Sequence, residues 1–175
     1  MVTDGWILPD KEMAYDPRFD ITGCLAAFHS FLRNYRVGGK PFDVFMRETC
    51  KAHNVNMRVI LPFLQMGSGL LNRKVEPNGG LMRKGILLPD GFLKNGDQFD
   101  SQLVNVVRSF RILYEKADLV EPFQLRDGVV LAKSRISYAV FSYIGTLGQA
   151  GYPDSGCYLY MRHFNQLGRF GRFYG

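Results

Sequence analysis

The stretch Val59–Met66, within HNVNMRVILPFLQMGSG, constrains the fold more than any other part of the chain. It is apolar almost all round, which predicts a central, buried helix rather than a surface helix with one polar face. Asn56 is a good N-cap for a helix that begins at the next residue, and Gly67 and Gly69 are expected to end it. Pro62 removes one backbone hydrogen bond, so a kink or a break is expected there.

Other segments also have the apolar spacing, caps and breakers that are typical of helices. They run from a cap at Asp20 or Thr22 to about Tyr35, and over about 42–53, 99–116, 134–147 and 156–167. Residues 72–98 are instead rich in Gly, Pro, Asn and charge, which predicts a long irregular excursion or a small hairpin. The segment EPFQLRDG is expected to form a turn or a short strand. The fold class predicted by these patterns is mainly α.

A length of 175 residues suits one domain that buries a sizeable core. Residues 1–19 are expected to form an irregular arm pinned by apolar side chains, and the Gly-rich residues 168–175 a flexible tail. The start MVTDGWILPDKE shows no basic region followed by an apolar stretch, so no signal peptide is visible. No apolar run approaches the ~18 residues that a membrane span requires.

The formal charge is +6, and residues 128–175 carry five basic residues against one acidic residue. A basic surface favours anionic polymers such as nucleic acid, anionic lipid or an acidic bacterial wall, but also fits an ordinary basic soluble protein. The chain has an odd number of cysteines, Cys24, Cys50 and Cys157, and no CxxC motif. Its three histidines are scattered along the sequence. No metal site and no cofactor are therefore expected, and pairing of Cys24 with Cys50 stays open.

Five stretches, taken in order, resemble one family of bacterial wall-degrading domains with a lysozyme-like fold, of the glucosaminidase, muramidase or lytic transglycosylase type. They are FHSFLRNY, FMRETCKAHNVNMRVILPFLQMGSGLL, QFDSQLVNVVRSFRILY, SYAVFSYIG and GCYLYMRHFNQLGRF, and together they cover roughly residues 21–170. The resemblance implies a two-lobed helical domain whose cleft binds a β-1,4-linked amino-sugar chain of peptidoglycan. It also implies an envelope, periplasmic or phage-associated location.

The resemblance places a catalytic Glu at the end of the central helix, where this sequence has Gly67. Glycosidic cleavage needs a proton on the leaving oxygen, and a carboxyl half-buried against apolar groups keeps that proton. Glycine has none to give, so little or no activity is expected. Three interpretations stay open: a natural loss of catalysis, a deliberately inactivated variant whose parent reads QMESGLL, or a simple helix C-cap at Gly67.

Other residues are candidates for the remaining roles of such a site. Glu76 is a weak substitute for the missing acid, with Asp90, Asp97 and Asp100 weaker still as a base or water-positioning group, and Glu48 is set aside as a solvated charge. Sugar binding requires flat apolar faces and polar groups for hydroxyls. The candidates are Gln65, Gln102, Tyr138, Tyr143 and Tyr152, although core packing is the alternative for each aromatic residue.

Two other classes of function compete with glycan cleavage or binding. A lysozyme-like fold without catalysis would serve as a structural or interaction protein of a phage particle or the cell envelope. The tail RFGRFYG interleaves Arg with aromatic residues, as single-strand nucleic-acid binders do, but no RNA-binding or zinc-finger signature accompanies it.

Overall fold

The computed structural model describes residues 2–3, 9–78, 82, 99–117, 123–125, 127–131 and 134–145. Within these residues the chain is mainly helical, which confirms the predicted class at this coarse level. The helices are α1 (Ile21–Ala27), α2 (Phe42–Ala52), α3 (Met57–Ser68), α4 (Phe99–Lys116) and α5 (Arg135–Gly145). Three short 3-10 turns are added at Asp10–Glu12, Phe31–Arg33 and Leu70–Asn72.

The described residues form two small sheets. One joins segments that are far apart in the sequence, and the other joins neighbouring segments. Strand β1 (Val2–Thr3) pairs in parallel with β5 (Val130–Leu131), which pairs antiparallel with β4 (Phe123–Gln124). The strand at 123–124 confirms the short strand expected in EPFQLRDG. Strands β2 (Arg36–Val37) and β3 (Lys40–Pro41) form a separate antiparallel hairpin.

The first helix is much shorter than the sequence predicts. Asp20 caps α1 by accepting a hydrogen bond from the Gly23 amide, as expected, but α1 ends at Ala27 instead of continuing to Tyr35. His29 has a left-handed backbone conformation with φ of 51°, which breaks the helical path. Ser30 then caps the separate 3-10 turn that begins at Phe31.

Helix α3 forms the centre of the core, as its composition predicts. Asn56 caps it through its side-chain oxygen, which accepts a hydrogen bond from the Arg58 amide. Every residue from Val59 to Leu64 is buried, so this helix presents no polar face over that length. The helix continues through Pro62 without a break.

An aromatic trio joins α3 to the two longer-range helices that pack on it. The ring of Phe63 lies 4.9 Å from that of Phe110 on α4 and 5.6 Å from that of Tyr143 on α5, measured between centroids. The Phe110 and Tyr143 rings are 5.0 Å apart. Edge-on and tilted contacts of this kind add to the stabilisation from apolar burial.

The carboxylate of Asp10 caps α5 from the other end of the chain. Its Oδ1 accepts hydrogen bonds from Ser134 Oγ at 2.9 Å and from the Ile136 amide at 3.0 Å, and its Oδ2 accepts from the Arg135 amide at 2.9 Å. Ser134 Oγ also accepts a bond from the Ser137 amide. The first turn of α5 is therefore attached to the segment 9–19, here called the N-terminal arm.

Several predicted segments lie outside the described residues. They comprise most of the excursion at 72–98, the helix expected at about 156–167 and the tail at 168–175. Among the residues that are described, no helix combines the length and apolar character that a membrane span requires.

Candidate functional site

The central helix α3 ends where the sequence places the missing acid, although Gly67 is not its terminator. Gly67 lies inside the last turn, and Gly69 stops the helix in a left-handed conformation with φ of 66°. The Gly69 amide donates a 3.0 Å hydrogen bond to the Gln65 carbonyl, which closes the helix end. Glycine is favoured at such a position because it has no Cβ to clash.

Position 67 lies one turn after Phe63 and therefore on the same face of α3. The Phe63 ring packs on Phe110 and Tyr143, so this face is directed toward α4 and α5. Apolar surroundings such as this aromatic trio raise the pKa of a carboxyl group.

The chain that leaves α3 is fixed against the segment FHSFLRNY. Ser30 Oγ donates a 3.0 Å hydrogen bond to the Leu70 carbonyl, and the Phe31 amide donates a 2.7 Å bond to the Arg73 carbonyl. Two of the stretches that carry the family resemblance therefore meet at the end of the central helix. The sequence order alone does not indicate this contact.

These two segments line an open groove of about 440 Å³, here called the exit groove. Its lining comprises two aromatic rings, an amide, two cations and one carboxylate: Phe31, Asn34, Tyr35, Arg36, Lys74 and Glu76. Glu76 is thus the one predicted site residue on its wall. The sequence analysis did not predict the other lining residues, although most of them belong to or adjoin FHSFLRNY. It placed Tyr35 at the end of a long helix.

Tyr35 lies at the meeting point of three segments. Its ring contacts Phe31 at 5.6 Å and Phe99, at the start of α4, at 6.0 Å between centroids, both edge-on. Burial raises the pKa of the Tyr35 phenol, and the negative charges of Glu76 and Asp100 raise it further. The half-buried phenol therefore stays protonated and keeps an O–H donor in the groove.

Glu76 lacks the surroundings that a general acid requires. It is solvent-exposed on the loop after α3, whereas a catalytic acid keeps its proton by being half-buried against apolar groups. The geometry suits it as an acceptor for ligand hydroxyl groups. Asp100 lies in the first turn of α4, and Asp90 and Asp97 fall outside the described residues.

Among the described residues, the predicted sugar-binding side chains Gln65, Gln102, Tyr138 and Tyr143 do not line a common cleft. Gln102 and Tyr143 are buried, and burial raises the pKa of the Tyr143 phenol, so both side chains belong to the interior. Gln65 Oε1 accepts a 3.2 Å hydrogen bond from the Asn72 amide and thereby braces the turn after α3. Tyr138 is half-buried on α5, and Tyr152 lies outside the described residues.

Cys24 and Cys50 are both buried, and no disulfide joins them, so the pairing that the sequence left open is not formed. Burial raises the pKa of the Cys50 thiol, which makes it a poor nucleophile. Cys157 lies outside the described residues. No group of three or more metal-binding side chains converges within the part of the chain that the structure describes. No protein-family model matches the chain, and neither does any curated protein or solved structure.

Proposed function

We propose that this chain is a lysozyme-like domain that binds the β-1,4-linked amino-sugar glycan of the bacterial wall in the exit groove and does not cleave it. One observation carries the proposal. The cavity at the end of the buried central helix is lined by the first of the stretches that resemble the wall-degrading family, through Phe31, Asn34 and Tyr35, and by the chain that leaves the second, through Lys74 and Glu76. The third stretch reaches it through Phe99, which contacts the Tyr35 ring.

The lining of the exit groove has the chemistry that sugar rings require. The half-buried ring of Tyr35 offers an apolar face beside the buried ring of Phe31, and the Tyr35 hydroxyl, the Asn34 amide and the Glu76 carboxylate offer partners for sugar hydroxyls and acetamido groups. A volume of about 440 Å³ falls within the range of small-ligand sites and accommodates part of a chain rather than a long segment.

We expect no cleavage because the end of α3 carries no general acid. Gly67 has no side chain to donate a proton, and Glu76 is exposed. Position 67 lies one turn after Phe63, whose ring belongs to the aromatic trio, and an acid there would need such apolar surroundings to keep its proton.

The loss of catalysis is tested by turbidity clearing of purified sacculi. We expect the chain as given to clear them at the background rate and the Gly67→Glu variant to clear them about 10²–10⁴-fold faster, the typical contribution of a general acid. Gly67→Gln is the matched control, since it adds similar bulk without the carboxyl proton. Equal rates for the chain and for Gly67→Glu would refute the assignment of position 67.

Binding is tested separately, by retention of the chain on sacculi and on chitooligosaccharide resin. Glu76→Gln should weaken retention about tenfold, because a hydrogen bond to a charged group is worth about 1.5–3 kcal/mol. Glu48→Gln is the control, since Glu48 pairs with Lys40 on the hairpin and α2. If no form is retained, the structural or interaction protein becomes the better interpretation.

A further inference from the structure

A second cavity, of about 600 Å³, lies at the start of α3 and is here called the arm cavity. It is separated from the exit groove by the length of the central helix, roughly 18 Å for 12 residues. Three basic side chains line it: Lys11 and Arg18 from the N-terminal arm, and Arg58 from the first turn of α3.

The walls of the arm cavity are fixed by hydrogen bonds between the arm and the cap of α3. The Asn56 backbone amide donates a 2.7 Å bond to the Met13 carbonyl, and Asn56 Nδ2 donates a 2.9 Å bond to the Glu12 carbonyl. The Tyr15 amide donates a 3.1 Å bond to Asn54 Oδ1. These hydrogen bonds fix the backbone that carries the basic side chains.

The charges on the wall do not balance. Arg58 pairs with Glu12 at 2.9 Å, and Arg18 pairs with Asp16 at 2.7 Å. Lys11 has no carboxylate within ion-pair distance among the described residues. Among the described residues that line the cavity, three side chains are thus basic and two are acidic. The Arg58 side chain is only 11% exposed, so its interaction with a bound anion would be weakly screened by solvent.

We infer that the arm cavity binds a small ligand through a single oxyanion group, a phosphate or a carboxylate. Lys11 supplies the unmatched charge, and Arg58 supplies a planar guanidinium suited to such groups. Glu12 competes with the ligand for Arg58. The volume fits a small molecule rather than a polymer. This site is independent of the glycan proposal, because it shares no lining residue with the exit groove.

The test is a titration of the full chain with inorganic phosphate, and in parallel with acetate, with chloride added to hold ionic strength constant. Binding is followed by the backbone amide shifts of the arm and of the first turn of α3. Lys11→Gln should weaken the saturable binding about fivefold, the factor for an exposed ion pair worth ~1 kcal/mol. Glu12→Gln should strengthen it by a similar factor, because one carboxylate that competes for Arg58 is then removed.

Lys51→Gln is the matched control, because Lys51 is an exposed lysine on α2 outside the cavity. Opposite effects of Lys11→Gln and Glu12→Gln support the site, since a general loss of folding would weaken binding in both variants. The tighter of the two anions identifies the oxyanion group. Absence of saturable binding to either anion, or equal affinities in Lys11→Gln and Lys51→Gln, would overturn the inference.

Discussion

Replacement of Asp10 by Ala should destabilise the protein far more than its place in an irregular arm suggests. The carboxylate accepts three hydrogen bonds from the start of α5, from Ser134 Oγ and from the amides of Arg135 and Ile136. Loss of a helix cap costs about 0.5–2 kcal/mol, and buried donors left without a partner add to this. The Arg135 amide is exposed and regains water, so we expect a total of about 2–3 kcal/mol.

Asp10→Asn separates the hydrogen bonds from the charge. Its amide oxygen can replace Oδ1 and keep the bonds from Ser134 and Ile136, whereas its NH₂ group cannot accept from the Arg135 amide. The expected cost is about 1 kcal/mol, the typical net value of one hydrogen bond.

The measurement is urea unfolding followed by far-ultraviolet circular dichroism, with the m-value checked for constancy. Lys11→Ala is the control, because Lys11 is exposed and adjoins Asp10, and it should change stability by no more than about 0.5 kcal/mol. Asp10→Ala and Ser134→Ala should also be non-additive by at least about 0.5 kcal/mol. A loss in Asp10→Ala no larger than in Lys11→Ala would show that the carboxylate does not cap α5.

Three further results are expected. Phe63→Ala should cost about 3–5 kcal/mol in urea unfolding, because it removes one ring of the aromatic trio, and a cost below ~1 kcal/mol would contradict that packing. Glu76→Gln should lower the pKa of the Tyr35 phenol, measured by carbon-labelled tyrosine NMR, since the Glu76 charge helps to raise it; an unchanged pKa would place the two groups apart. The hydrogen bonds from Arg18 lower the pKa of Asp16, so this stabilisation is present above the unfolded-state pKa of about 3.9 and is lost as the pH falls through the folded-state value. Asp16→Asn should therefore cost about 0.5 kcal/mol at pH 7 and nothing near pH 2, and a difference that grows in acid would refute this.

The elements that were predicted well are those fixed by local chemistry. Helix α3 begins after the Asn56 cap and ends at Gly69, and the apolar residues Val59–Leu64 between them are buried. Helix α1 was predicted too long because local pattern shows neither the left-handed conformation of His29 nor the distant contact after it, from the Phe31 amide to the Arg73 carbonyl, 42 residues along the chain. The pairing of β1 with β5 also joins segments that are far apart in the sequence, so local pattern does not predict it.

In the candidate site, too, the features that depend on local sequence were predicted, and those that depend on tertiary contacts were missed. Position 67 was placed at the end of the buried helix from local pattern and resemblance, and Glu76 follows directly from it. Tyr35 was missed because its partners come from a turn and from the start of α4, which no periodicity brings together. Gln102 and Tyr143 were expected to bind sugar, but helix packing directs both inward.

The attachment of the N-terminal arm to α5 also bears on the kinetics of folding. Asp10 and Ser134 are 124 residues apart, and Val2 pairs with Val130, so these contacts close almost the longest loops the described chain allows. Closing such loops is entropically costly, and contacts of this kind tend to form late, after the transition state. Interactions absent from the transition state slow unfolding without speeding folding. We therefore expect the arm to act mainly on the unfolding rate, with little effect on the folding rate.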